Sequence, residues 1–138
     1  MDDVYTLYLI GGADEEQAQF VLTEVGNDCR VECNFRGRRV EAGATDFFEA
    51  FCRVRMELAK EGLIPFCYGA SLNVYPSAMA RDMGGGLKAY KMVLGEHARI
   101  SDLVEIFSEG ADIIPAYVEP QKAFFEEWLA TPKPPYTG

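Results

Sequence analysis

The chain offers few side chains that could carry acid–base or nucleophilic chemistry. His97 is its single histidine, and histidine is the side chain whose ordinary pKa lies closest to neutral pH. Glu96 precedes it, Arg99 follows it, and Cys67 could act as its nucleophilic partner if folding brought the two together. A lone histidine directly after Gly95 is more typical of a loop than of a catalytic base. We therefore predict no catalytic residue, with the proximity of Cys67 and His97 left open.

The cysteines do not follow a metal-binding pattern. Successive cysteines are 4, 19 and 15 residues apart, and none forms the C-x-x-C pair typical of structural zinc sites. Two of them stand among apolar neighbours, which favours buried thiols in a reducing compartment. We expect no metal, no cofactor and four free thiols, at Cys29, Cys33, Cys52 and Cys67.

A run of three glycines ends in Gly86 and is followed by Leu87 and Lys88. A phosphate-binding P-loop lies between a strand and a helix and continues from its lysine into serine or threonine. Here Ala89 occupies that last position, and the glycines follow a predicted helix. The run is better explained as the end of that helix and a flexible loop.

Tyrosines, hydroxyls and cations are concentrated between residues 68 and 91. Four bases and two acids fall between Arg81 and Arg99, so this stretch is locally positive in an acidic chain. Tyrosine and arginine are enriched at interaction hot spots. If the protein binds a small anionic ligand, the candidate residues are Tyr68, Ser71, Tyr75, Ser77, Arg81, Lys88 and Tyr90.

Composition bounds the possible partners. The chain has 138 residues, of which 13 are Lys or Arg and 22 are Asp or Glu, for a formal net charge of −9. General binding to nucleic acid or to an anionic membrane is disfavoured, because both are negative. A basic protein is the better partner, and the carboxylates proposed to meet it are Asp14, Glu15, Glu16, Glu105, Glu109, Glu126 and Glu127.

The predicted location is the cytoplasm. No apolar run of 18 residues could span a membrane, and acidic residues follow Met1 where a secretory signal needs bases.

In the first half, hydrophobic periodicity predicts one strand, a hairpin and two helices. Residues 4–10 are apolar on both faces, which favours a central strand. The spacing of Ala18, Val21, Leu22 and Val25 predicts a helix over 15–25. Alternation from residue 29 to residue 40 predicts a hairpin. Asp46 is expected to cap a helix whose apolar face contains Phe47, Phe51, Val54 and Leu58.

In the second half we predict strands over 63–68, 72–75, 87–94 and 112–118. Helices are expected over 78–83, after Ser101, and from Pro120 at its first turn. Antiparallel and interleaved elements together predict an α+β fold, with a mixed, largely antiparallel sheet and helices packed on it. The predicted organisation is one domain over residues 1–131 and an extended tail over 132–138.

The segment over residues 62–95 carries a family resemblance. The stretches GLIPFCYGAS, NVYPSAMARDMG and GLKAY within it resemble small bacterial proteins of polymorphic-toxin loci, which are candidate immunity proteins. The resemblance implies an acidic cytoplasmic protein that inhibits by binding and has no catalytic residue to carry over.

Two functions follow as alternatives. The first is a toxin-neutralising inhibitor that acts by protein–protein binding, with a basic toxin domain as its partner. The second is an enzyme or binding protein for a small anionic ligand, built on the segment 68–91. A structural subunit would rest only on the aromatic face of the last helix, which is more often core than interface.

Overall fold

Two antiparallel sheets organise the protein, whose computed structural model describes residues 3–136. The larger sheet contains β1 (Asp3–Ile10), β2 (Glu16–Val25), β3 (Asp28–Phe35), β4 (Arg38–Ala44) and β5 (Ile64–Pro65), in the order β4-β3-β2-β1-β5. The smaller sheet contains β6 (Val74–Tyr75), β7 (Lys88–Lys91) and β8 (Leu103–Glu105), in that order. Three helices accompany them: α1 (Phe47–Ala59), α2 (Ala78–Gly84) and α3 (Val118–Ala130). The fold is α+β, as predicted.

The β3–β4 hairpin and α1 agree with their sequence patterns. Cys29, Val31, Cys33 and Phe35 are buried on the inner face of β3. Arg36 and Gly37 form the two-residue loop with φ of 50° and 70°, the positive values that a type I′ turn requires. The Asp46 carboxylate caps α1 by accepting a hydrogen bond of 2.8 Å from the backbone N–H of Glu49. The four predicted apolar residues of α1 are buried.

The predicted helix over 15–25 is wrong, because this segment is strand β2. Its buried residues Ala18, Phe20 and Leu22 alternate with more exposed ones, and β2 pairs with β1 on one side and β3 on the other. Apolar residues at 18, 21, 22 and 25 also satisfy a helical spacing. Pairing with a strand on each side makes this segment a strand and not a helix, since strand formation depends on context more than on local propensity.

The prediction that β1 is central also needs correction. β1 pairs with β2 along almost its whole length, but β5 pairs with only Leu9 and Ile10 on the other side. The outer face of β1 is exposed, as at Val4 and Tyr8. An apolar strand therefore lies next to a sheet edge that is largely open.

The second half contains further corrections. Instead of the helix predicted to begin after Ser101, a 3₁₀ turn over Ile100–Asp102 leads directly into β8, which pairs with β7. Residues 112–118 form no strand and contribute only a bridge between Pro115 and Ser71. The predicted strands over 63–68, 72–75 and 87–94 shorten to β5, β6 and β7. Pro120 is the third residue of α3, not the first.

The predicted helix over 78–83 is confirmed as α2. The Ser77 hydroxyl caps it by accepting from the backbone N–H of Ala80 at 3.0 Å. The prolines of the C-terminal segment, predicted as an extended tail, form no regular element up to residue 136. Residues 1, 2, 137 and 138, at the ends of the predicted domain and tail, lie outside the described residues. None of the described helices is both long and apolar enough to cross a membrane.

Candidate functional site

An open cleft of about 470 Å³ lies between the two sheets. Tyr5 contributes from β1, Leu103 and Glu105 from β8, and Met79 and Met83 from α2. Leu87 and Phe107 add apolar surface, and Ser77, Lys88, Tyr90 and Ser108 add polar groups. Clefts of this size, mostly apolar with a few polar groups, are typical of binding sites.

The glycine run fixes the position of α2 against α1. Gly85 ends α2 in the left-handed region with φ of 64°, and its carbonyl accepts a 2.7 Å hydrogen bond from the N–H of Phe47. A Cβ on Gly86 would come within 2.8 Å of the Asp46 carboxylate and 3.0 Å of the Phe48 nitrogen. The glycines therefore allow a close backbone approach and end the helix, in agreement with the sequence interpretation.

The floor of the cleft is continuous with the core. The Tyr5 ring stacks on Phe107 with centroids 4.9 Å apart, and Phe107 contacts Phe51 at 4.7 Å and Phe20 at 6.2 Å. The α2 wall is exposed instead, since Met79 and Met83 are 69% and 84% accessible. Methionine is flexible and adapts to varied apolar surfaces. One side of the cleft is therefore a packed aromatic surface, and the opposite side is formed by adaptable methionines.

Three of the seven candidate ligand residues, Ser77, Lys88 and Tyr90, line this cleft. The other four make internal contacts elsewhere. The Tyr68 hydroxyl donates to Asp112 at 2.5 Å, and Lys91 reaches the same carboxylate at 2.7 Å. Ser71 is buried, and its hydroxyl accepts from the N–H of Ile114 at 2.9 Å.

Arg81 and Tyr75 belong to an aromatic cluster on the side of α1. The Arg81 guanidinium donates to Asp46 at 3.1 Å and lies over the Phe48 and Tyr75 rings at 5.1 and 5.5 Å. Tyr75 in turn stacks on Phe125 at 4.2 Å. The structure therefore does not bring the seven residues together around one ligand.

The candidate partner-binding carboxylates occupy three places. Asp14 and Glu15 are exposed in the β1–β2 turn, while Glu16 forms an ion pair with Arg36 at 2.5 Å. Glu105 lines the cleft opposite Lys88 in the β7–β8 register, and exposed Glu109 follows it in the chain. Glu126 and Glu127 are exposed on α3.

Ion pairing differs sharply along the chain. Among residues 3–69, eight of twelve acidic side chains lie within ion-pair distance of an arginine or lysine. Among residues 70–136, Asp112 alone of nine does so. Carboxylates without an ion-pair partner among residues 3–136 are therefore concentrated in the second half of the chain, although the formal net charge of residues 1–69 is −6 and that of residues 70–138 only −3.

The cysteines and the histidine have no shared site. Cys67 is fully buried, and burial raises its pKa, like that of Cys33, to about 12. Such thiols are protonated near neutral pH and are poor nucleophiles. A His97 ring nitrogen lies 2.5 Å from the Pro134 carbonyl, and the ring stacks on Tyr136. His97 therefore contacts the C-terminal segment, and no hydrogen bond described for residues 3–136 joins it to Cys67. Within those residues, no group of three or more potential metal-ligating side chains comes together.

A buried arginine joins the elements behind the site. Arg55 of α1 is 3% exposed and donates to the carbonyls of Gly69 and Ala116 and to Gln121 Oε1, at 3.0, 2.9 and 2.7 Å. Burial lowers its pKa. The Gln121 amide nitrogen donates to the carbonyls of Gly69, Ser71 and Val74, each at 2.9 Å. This Arg55–Gln121 network holds α1, α3 and the segment before β6 together.

Sequence reasoning missed most of the cleft. Tyr5, Leu103 and Phe107 come from elements that the sequence placed in a central strand or a helix. Met79 and Met83, four residues apart in a short helix, were the available signal, since they put two apolar side chains on one face. Arg55 resembled a solvated charge and gave no signal of its burial.

Fold and cleft define the class as a small acidic α+β protein with an open apolar cleft. Comparison of the chain with models of known protein families and with functionally characterised proteins found no match.

Proposed function

We propose that the protein is an immunity-type inhibitor that neutralises a basic toxin domain by binding it. The observation that carries this proposal is a set of unpaired carboxylates: eight of the nine acidic side chains between residues 70 and 136 have no ion-pair partner among the described residues. Most sit on exposed positions, where their charge acts through solvent on an approaching protein.

Charge complementarity supports a basic partner. A protein that holds phosphate groups carries excess lysine and arginine, and an acidic inhibitor would attract it over long range. Such steering raises the association rate and suppresses binding to other proteins. The carboxylates proposed for this role include Asp14, Glu15, Glu105, Glu109, Glu126 and Glu127.

The cleft supplies the apolar part of an interface. Tyr5, Met79 and Met83 expose large side chains beside it, and tyrosine and methionine are enriched in protein–protein interfaces. Charges on the outer face of β3 and β4 are largely neutralised by pairs such as Arg30–Glu41 and Arg39–Glu32. The cleft therefore combines apolar surface with one acid, Glu105, that has no ion-pair partner among residues 3–136.

The same geometry gives less support to the alternative function, binding of a small anionic ligand. Lys88 is the single cation lining the cleft, and it stands opposite Glu105. A carboxylate beside the one available cation weakens attraction for an anion.

Co-expression with the product of the neighbouring gene tests the proposal. We expect a basic domain to co-purify with this protein and its toxicity to the host cell to be suppressed. The association rate, measured by stopped flow, should fall about tenfold or more from low to high salt, because steering by charge is screened.

A charge variant and a matched control make the test specific. Combining Glu126→Gln with Glu127→Gln should slow association severalfold. Combining Glu57→Gln with Lys60→Gln removes an exposed ion pair at constant net charge and should leave the rate unchanged. A rate that ignores salt, or a neighbouring product that is not bound, would contradict the proposal.

A further inference from the structure

We propose that the open edge of β1 and the cleft beside it receive one extended segment of the basic partner. The segment adds as a strand to β1 and places large apolar side chains into the cleft. This inference rests on the proposed function, because the segment is assigned to the partner that the acidic charge attracts.

The backbone of β1 has unused hydrogen-bonding groups along this edge. The Tyr8 carbonyl accepts from the N–H of Phe66 at 2.8 Å, so the backbone groups of Tyr8 face β5. In an antiparallel strand every second residue directs its N–H and C=O to the same side, which puts Val4 and Thr6 on that side too. Beyond Leu9 and Ile10, β5 provides no pairing. In residues 3–136, no hydrogen bond described engages the Val4 or Thr6 groups on this edge.

The edge also lacks three of the usual protections against strand addition. Natural edge strands are guarded by lysine, proline, a bulge or a covering element. β1 contains none of the first three between Val4 and Ile10 and pairs continuously with β2. Val4, Tyr8 and Ile10 are 49%, 41% and 38% exposed. An added strand would therefore gain both backbone hydrogen bonds and apolar contacts.

The cleft lies where side chains of such a strand would point. Tyr5 belongs to β1 and lines the cleft, and Leu103 and Glu105 line it from β8. Side chains of a strand alternate between its faces, so every second side chain of a segment beside β1 would enter the cleft. A volume of about 470 Å³ accommodates large aliphatic side chains.

Charge complementarity selects the occupant. Three carboxylates against one lysine surround the site: Asp3 begins β1, Asp82 is exposed on α2, and Glu105 lines the cleft opposite Lys88. None of the three carboxylates has an ion-pair partner among the described residues. A second copy of this chain would bring its own net charge of −9 to an acidic edge. An extended segment with apolar side chains on one face and basic side chains on the other fits both properties.

Synthetic peptides test this assignment directly. The probe is a capped nine-residue peptide of alternating lysine and leucine, measured by fluorescence anisotropy. One comparison peptide alternates lysine and serine, and another alternates glutamate and leucine. We expect the lysine–leucine peptide to bind at least about tenfold more tightly than either comparison, because only it satisfies both the charge and the cleft.

Thr6→Pro is the decisive variant. It removes the N–H that faces the open edge without removing a bond to β2, and proline is tolerated where a strand faces solvent. Thr6→Ala retains the N–H and serves as the matched control. Thr6→Pro should weaken the lysine–leucine peptide about tenfold relative to Thr6→Ala, through loss of a hydrogen bond and a clash with the added strand.

A second variant keeps the test valid if Thr6→Pro fails to fold. Combined Met79→Ser and Met83→Ser changes two exposed side chains and should weaken the peptide severalfold. Hydrogen exchange should also show the Thr6 amide protected on binding. Equal binding to all variants, equal binding of the lysine–serine peptide, or an unprotected Thr6 amide would overturn the inference.

Three further outcomes distinguish a second copy as the occupant and separate this inference from the proposed function. A concentration-dependent dimer that Thr6→Pro dissociates in sedimentation would overturn it in favour of a second copy as the occupant. If the neighbouring product binds wild type and Thr6→Pro equally, the inhibitor role stands and the strand-addition site is refuted. If that product does not bind but the lysine–leucine peptide shows the Thr6→Pro effect, the proposed function fails while the edge site stands.

Discussion

Two regions of the molecule differ in how far their large apolar side chains are buried. In the packed half, formed by β2–β4 and α1, Phe20, Phe48 and Phe51 are completely buried. In the open half, formed by β1, α2, β7 and β8, Met79, Met83 and Tyr5 are 69%, 84% and 36% exposed. Burial of large side chains supplies most of the driving force for folding. The packed half therefore provides stability, while the open half leaves apolar surface available for binding.

Charges follow the same division. In the packed half, Arg30, Arg36 and Arg39 lie beside glutamates of neighbouring strands or turns. Glu105 and Asp82 in the open half have no such partner among residues 3–136. Exposed ion pairs add little to stability, but they neutralise the surface on which they lie. The comparison teaches that ion pairing, and not net charge, distinguishes the two regions.

The largest effect expected from this division concerns core packing. Phe51→Ala removes a ring in contact with Phe20 and Phe107 and should lower the free energy of unfolding by about 3–5 kcal/mol. Met83→Ala in the open half should change it by less than about 0.5 kcal/mol. Urea unfolding of both variants measures the difference. Similar losses for both would show that the two halves are equally packed.

The next effect concerns the Arg55–Gln121 network, which joins α1 of the packed half to α3 and to the segment before β6. Arg55→Met leaves Gln121 Oε1 and the Ala116 carbonyl without their described donor and should cost about 2–4 kcal/mol, since each buried unsatisfied group costs about 1–3 kcal/mol. Arg53→Met, on the exposed side of the same helix, should cost less than about 0.5 kcal/mol.

A double variant identifies the source of that cost. Arg55→Met combined with Gln121→Leu should lose less stability than the two single changes added together, because the unsatisfied partners are removed together. Thermal unfolding of the four proteins measures the coupling. Strict additivity would contradict a shared network.

The smallest effect concerns Asp112, the one ion-paired acid among residues 70–136. The hydrogen bonds from Lys91 and Tyr68 hold the pKa of its carboxyl at about 2, below its ordinary value of 3.8. A carboxyl with a depressed folded-state pKa stabilises the protein above its unfolded pKa, and this contribution disappears as pH falls through the folded value. The difference in unfolding free energy between wild type and Asp112→Asn should be constant above pH of about 4 and vanish towards pH of about 2.

Asp82→Asn is the matched control, because Asp82 is exposed and has no ion-pair partner in the described chain. The loss of stability at neutral pH should therefore be larger for Asp112→Asn than for Asp82→Asn. A difference for Asp112→Asn that persists at pH of about 2 would show that the Lys91 and Tyr68 contacts do not depend on the charged carboxylate.

Local patterns predicted those elements whose signals agreed with each other. α1 combined a capping aspartate with an apolar face, and the β3–β4 hairpin showed a clear alternation of apolar and polar residues. The helices predicted for the segments of β2 and β8 are wrong. The apolar residues of these segments fit a helical spacing equally well, and their sheet pairing comes from residues distant in the chain. The candidate carboxylates were identified from the sequence as acidic residues. Their ion pairs could not be predicted from it, because these pairs join residues that are distant in the chain.

The sequence by itself determined the acidic net charge, the α+β class and the strong local elements, since these depend on composition and on neighbouring residues. Tertiary structure alone decided which apolar residues remained exposed. Tyr5, Met83 and Leu103 lie on separate elements, and only the packing of two sheets around α2 places them around one cleft. It also decided that Arg55 is buried and that the edge of β1 is open, because burial and strand pairing depend on contacts between distant parts of the chain.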